Sequence, residues 1–227
     1  MEQKSKTLIA SLILNLVVFT LVVIASVFMF VGYAFMPNEL TLQSTKIGML
    51  KFFTVQSNIF VGIVALIFAV FEILILRGKK EKMPKAMQII KFAATSAVSL
   101  TFFVVFAYLG FIVKGGVVVL LANSNMFFHL IVPALAIITF VAFERSDVIR
   151  FRNATWGFVP AACYAVFYMT NVLVHLKNGQ VDHKYDFYYF VQGDLWQIAI
   201  VVPLVLGISY GIGLLLWVAN KKRKRSV

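Results

Sequence analysis

Apolar residues in this chain do not alternate with polar ones. They run in six long blocks separated by short polar stretches. The blocks extend from about Leu8 to Phe35, Phe52 to Leu76, Ile89 to Val113, Met126 to Phe143, Ala154 to Leu176 and Leu195 to Val218. A helix rises ~1.5 Å per residue, so roughly 20 apolar residues cross the hydrocarbon layer. Each block reaches or nearly reaches that length. Inside lipid a segment must satisfy its own backbone N–H and C=O groups, so each block predicts a helix. The pattern predicts an all-α polytopic membrane protein: a six-transmembrane-helix bundle forming one domain over 1–227. The first block is too long for a signal-peptide core of about 7–15 residues and reads as a retained span. Val117–Leu121 is also apolar. It reads as an interfacial or re-entrant piece, or as an extension of the fourth span. No repeat, linker or attached soluble domain is visible, so function belongs in the bundle or at its rims.

Composition supports lipid as the main solvent. Hydrophobic residues make up 61% and charged residues 13%, against about 25% charged in soluble domains. A net charge of +12 would suggest nucleic acid in a soluble protein, but its distribution gives another reason. With the N-terminus inside, the inner segments hold fifteen of the 21 Lys and Arg residues: Lys4, Lys6, Arg77, Lys79, Lys80, Lys82, Lys85, Arg145, Arg150, Arg152 and the run Lys221–Arg225. The outer segments hold five, Lys46, Lys51, Lys114, Lys177 and Lys184, and Lys91 falls inside a span. Positive loops stay cytoplasmic. Both termini are therefore predicted cytoplasmic in a multi-pass protein of the cell membrane. The partner is the bilayer, with anionic lipid at the basic tail, and not nucleic acid. The single cysteine, Cys163, excludes an internal disulfide.

Polar groups inside a bundle are expensive and point to function. Thr54, Ser57 and Asn58 share one face at the outer start of span two. Asn125 and His129 lie one turn apart at the outer start of span four. Tyr164, Tyr168, Asn171 and His175 form a stripe on the outer half of span five, and Asp194 and Gln197 open span six. The inner halves offer Glu72, Lys91 and the hydroxyls Thr95, Ser96, Ser99 and Thr101, which can bond back to their own helix. Thr54 and His129 each lie about three residues inside their spans, at a common depth of roughly 5 Å. His129 sits at a helix N-terminus, where a neutral ring is favoured and can act as a base. His175 sits at a C-terminus, where Asp194 could pair with it. Pro133 cannot donate to the carbonyl of His129, so the helix is expected to kink there. Unpaired N–H groups near Thr54 could stabilise an oxyanion. Against these stand plainer roles: a hydroxyl bonded to its own backbone, and a Tyr–Asn–His stripe that glues helices. The three histidines with Asp186 and Asp194 lack a metal-site spacing. No phosphate loop, nucleophile elbow or dinucleotide fingerprint is present. Neither a metal nor another cofactor is expected.

These stretches resemble a known family. Leu50-Lys-Phe-Phe-Thr-Val-Gln-Ser-Asn58 is similar to the start of the second span in the androgen-induced and androgen-dependent TFPI-regulating protein family of six-span threonine hydrolases. Asn125-Met-Phe-Phe-His129, followed by Pro133 and Glu144, resembles its fourth span. Val174-His175 through Gly179 to Tyr185-Asp-Phe-Tyr-Tyr-Phe190 resembles its last outer loop. The matches are short but co-linear along most of the chain, and Thr-x-Gln-Ser-Asn resembles the bacterial branch. Two departures stand out. The His-to-Pro spacing is one residue shorter than in the animal members, and a Tyr-Pro-Phe motif is here Tyr185-Asp-Phe187, which bears on the loop's role and on substrate choice. The resemblance implies cleavage of fatty acid esters of hydroxy fatty acids or similar lipids, with Thr54 as nucleophile and His129 as base. Asn58, Asn125, Asn171, His175 and Asp194 are then the candidates to orient the base or hold an oxyanion, and Ser57, Tyr164 and Tyr168 to line the substrate cavity. Two other classes compete: a small-molecule or proton-coupled transporter, through Glu72 and Lys91, and a non-enzymatic lipid-binding protein. The oligomeric state is not encoded in any of these patterns.

Overall fold

The computed structural model describes residues 2–36, 44–144, 146, 148–182, 184–191 and 194–222; Arg145, His183 and the tail from Arg223 lie outside them. Six helices are long and apolar enough to cross a membrane: Ser5–Val31, Phe53–Leu76, Lys85–Ile112, Ser124–Ala142, Phe151–Val174 and Leu195–Lys221. They are called spans one to six. Among the described residues the only β pairing is an isolated bridge between Lys177 and Gln180.

Local chemistry moves the ends from where hydropathy alone would put them. Span one stops at Val31, short of Phe35. Gly32 turns left-handed (φ 75°), and the N–H groups of Gly32 and Tyr33 return to the carbonyls of Met29 and Phe28 at 3.3 and 2.8 Å. That is a glycine-terminated helix end with its last carbonyls satisfied. Span three begins at Lys85, directly after Pro84. Val117–Leu121 largely coincides with a short helix, Gly116–Leu120, ahead of span four. Two spans contain a widened π-turn, Val105–Leu109 in span three and Phe127–Ile131 in span four. The second directly precedes Val132 and Pro133, where the backbone must absorb a missing N–H.

Packing ranks the spans. Along span one Ser11, Asn15, Val18, Val22, Ala25 and Met29 are buried, a seam spaced by three and four residues that faces span two. The helices approach closely at Gly62, where a Cβ would lie 2.8 Å from Val22. Every residue from Lys91 to Thr101 is buried. Span three is thus the hub, with 67% of its apolar window buried against 11% for span six. Gly157 and Gly213 bring spans five and six together, since a Cβ on Gly157 would lie 3.1 Å from the Gly213 Cα. A Cβ on Gly211, two residues earlier on span six, would meet nothing within 4 Å.

The hydrogen bonds fix which ends meet. Asn15 near the start of span one reaches Glu72 at the end of span two and Glu144 beyond span four. Asn220 at the end of span six donates to the carbonyls of Phe140 and Glu144 at 2.9 and 2.6 Å. This is the terminal end of the bundle. At the far end, Asn123 (φ 55°) accepts the N–H groups of Phe35 and Met36 at 2.8 and 2.7 Å and closes the exit of span one.

Candidate active site

The far end carries the candidate chemistry. Span two starts abruptly. Phe52 is extended, and its carbonyl accepts the N–H groups of Val55 and Gln56, both at 3.1 Å. The N–H of Phe53 has no carbonyl one turn back, as in any first helical turn. It donates instead to the hydroxyl of Tyr188 at 2.9 Å. The backbone and hydroxyl of Thr54 lie beside the same phenol oxygen. Burial pushes the Tyr188 phenol above its usual range, against a smaller pull from the N–H of Phe53, the Tyr164 hydroxyl and Thr54. Tyr188 therefore stays a neutral phenol that accepts the Phe53 N–H.

Thr54, Ser57 and Asn58 form one unit, as their spacing predicts. The Ser57 hydroxyl donates to the Thr54 carbonyl at 3.1 Å and meets the Thr101 hydroxyl of span three at 3.0 Å. The Asn58 amide donates to the Thr54 carbonyl at 2.7 Å and to the Phe128 carbonyl at 3.0 Å. Asn58 thus ties the turn carrying Thr54 to the residue just before His129, so spans two and four are neighbours at this depth. Its buried Oδ1 has no hydrogen-bond partner among the described residues.

His129 sits in the middle of the π-turn and is buried. Its Nδ1 lies 2.5 Å from the Leu120 carbonyl. A carbonyl only accepts, so Nδ1 carries the proton and Nε2 keeps the lone pair. The short helix before span four therefore sets the tautomer of the ring. No hydrogen bond joins His129 to Thr54 among the described residues.

The span-five stripe faces the last loop. Tyr164 donates to the Lys51 carbonyl at 2.6 Å. Tyr168 donates to the carboxylate of Asp186, which also accepts the N–H groups of Phe190 and Val191 at 2.9 and 3.1 Å. Asn171 donates to the Tyr185 carbonyl at 3.2 Å. His175 does not use Asp194. Its Nδ1 meets the Asn171 carbonyl at 2.7 Å and its ring stacks on Tyr185, centroids 3.7 Å apart. Asp194 is exposed and serves the backbone turn into span six. Asn125 is buried at the start of span four.

A narrow cavity of about 90 Å³ lies between spans two, three, five and six beneath this loop. Thr54, Tyr164, Tyr168 and Tyr188 line it with Thr101, and the rest of the wall is apolar. Ser57 lines a separate crevice on the other side of Phe53. His129 lines neither. The geometry thus brings the Thr54 hydroxyl, three phenols and a helix N-terminus to the head of an apolar chamber. Asn171, His175 and Asp194 serve the loop and its junctions.

Sequence reasoning missed Tyr188, Asp186 and Asn123 as structural actors. Tyr188 was one aromatic among six consecutive residues with no periodicity to single it out. Asp186 did leave a signal, because it stands where the resembling motif has proline. Comparison with protein-family models, with curated proteins and with solved structures finds no match in any of the three.

Proposed function

We propose that this protein is an intramembrane hydrolase of lipid esters, with Thr54 as nucleophile and His129 as base. The supporting observation is the position of Thr54 at the polar head of an otherwise apolar chamber among four spans. Such a chamber suits acyl chains, and its polar head suits an ester carbonyl. With the termini cytoplasmic, as the loop charges lead one to expect, this end faces outside and the substrate would come from the outer leaflet; fatty acid esters of hydroxy fatty acids are the substrates we propose.

The Thr54 oxygen attacks the carbonyl carbon and its proton passes to Nε2 of His129. The tetrahedral oxyanion collapses to an acyl-threonine, the alcohol leaves with that proton, and water releases the acid. Threonine is a weak acid, so this reading requires a base. Support for His129 comes from its fixed tautomer and from Asn58, which links its helix to that of Thr54. The Leu120 carbonyl orients the ring, the part a third triad member plays elsewhere. The first-turn N–H of Phe53, now on the Tyr188 hydroxyl, and the neutral phenol itself are the candidate oxyanion donors.

A fluorophosphonate probe tests the reading on purified protein in lipid. Labelling and ester hydrolysis are expected to vanish in Thr54→Ala. Turnover should fall by on the order of 10²–10⁴ in His129→Ala. A folded Thr54→Ala protein that still labels and still hydrolyses ester removes the nucleophile. Lipid retained without turnover by both wild type and variant would make the protein a lipid binder instead.

A further inference from the structure

A second polar centre lies at the terminal end. Thr54 and Glu72 are 18 residues apart on one helix, so the centres are separated by roughly 27 Å. Spans one, two and three contribute, with Glu144 from just beyond span four. Asn15 of span one is the hub: its amide nitrogen donates to Glu144 at 2.9 Å and to Glu72 at 3.2 Å, with Ser11 at 3.4 Å, and its carbonyl oxygen accepts from the ammonium of Lys91. Lys91 pairs with Glu144 at 3.2 Å and lies 5.3 Å from the centre of the Phe68 ring. Ser11, Asn15, Glu72 and Lys91 are at most 1% exposed and Glu144 is 7% exposed.

The charges do not balance. Two carboxylates share one ammonium, and among the described residues that ammonium reaches Glu144 and not Glu72. Among the described residues no second cation joins Lys91 at these carboxylates. Span six offers the neutral Asn220, bonded to the Glu144 carbonyl. Lys6 of span one is exposed, and Lys80 beyond span two lies over Phe71. Arg145 is outside the described residues. The second oxygen of Glu144 is buried with no hydrogen-bond partner among the described residues. An uncompensated carboxylate away from water is strongly disfavoured, and a buried oxygen acceptor without a donor adds to that penalty.

We propose that this knot is a proton-binding site in which Glu72 and Glu144 together hold one exchangeable proton. The proton comes from water and forms one O–H bond to a glutamate oxygen; no other bond changes. With it the knot is neutral: one carboxylate faces Lys91 and one carboxylic acid faces the Asn15 amide. Two carboxyl groups coupled through one amide titrate as a pair. The site is independent of the Thr54 chemistry.

Infrared spectroscopy of the full chain in lipid nanodiscs at neutral pH tests this through the C=O stretch of a protonated carboxylic acid. Wild type should show the band, and a carbon-13 label on glutamate carboxyls should shift it. Glu72→Gln and Glu144→Gln should each lose it, because the remaining carboxylate then has Lys91 to itself. Thr54→Ala should keep it. A wild-type spectrum without the band, a band that glutamate labelling leaves in place, or one that survives both Gln substitutions overturns the proposal. The labelled wild type decides the matter even if the variants do not fold.

Discussion

Asp186 ties the last loop to span five at the far end. Its carboxylate gathers the Tyr168 hydroxyl and two loop N–H groups, and it is fully buried. Hydrogen bonds to a charged group contribute about 1.5–3 kcal/mol each, and orphaned donors cost more. Asp186→Ala should therefore destabilise the purified protein by about 3 kcal/mol or more. Thermal unfolding measures this, and Asp186→Asn should recover part of the loss. Tyr188 gives a pH signature. Burial holds its phenol above the usual value of 10.0. Below pH 10 both folded and unfolded forms are neutral and its contribution is intact. As pH rises past 10 the unfolded chain ionises first, and stability falls until the folded phenol ionises too. Wild type should lose stability above pH 10 more steeply than Tyr188→Phe; parallel curves would count against a buried neutral phenol.

Between elements, close approach and backbone irregularity decide the outcome. A Cβ at Gly62 would meet Val22 at 2.8 Å, whereas one at Gly211 meets nothing within 4 Å. Overpacking costs about 1–3 kcal/mol, so Gly62→Ala should lower the unfolding midpoint and Gly211→Ala should not. Pro133 has a different leverage. Replacing it with Ala restores an N–H for the His129 carbonyl and removes the reason for the π-turn. A regular helix from Phe127 onward would rotate His129 by about 100° per residue removed and take Nδ1 off the Leu120 carbonyl. Nitrogen chemical shifts of the labelled imidazole should then change from a single fixed tautomer to a mixture. The disturbance at Pro133 was legible in the sequence because proline removes a donor wherever it stands. The matching π-turn at Val105–Leu109 was not, since no proline or other breaker marks it.

For the whole molecule, six spans were readable because lipid imposes one rule on every segment. Helix neighbours were not, because many arrangements satisfy that rule equally. The polar knot shows the limit. Asn15 is a lone amide in an apolar block, while Glu72 and Lys91 were visible as inner-half charges and a candidate proton route but without partners. Their meaning came from four segments converging, which no single stretch encodes. The candidate site was legible to the same degree. The shared face of Thr54, Ser57 and Asn58 followed from helical spacing, and the adjacency of spans two and four came only from the Asn58 bridge.

The enclosure of span three bears on how the chain is made. Its buried stretch contains Lys91, Thr95, Ser96, Ser99 and Thr101, groups that neighbours cover in the finished bundle. During synthesis Asn15 and Ser57 are already present for Lys91 and Thr101, but spans four, five and six emerge later, so part of the cover, Glu144 at Lys91 included, does not yet exist. A nascent chain stopped just past Ile112 should cross-link to the insertion machinery more persistently than one extended through Lys222, and Lys91→Leu should release the shorter chain early.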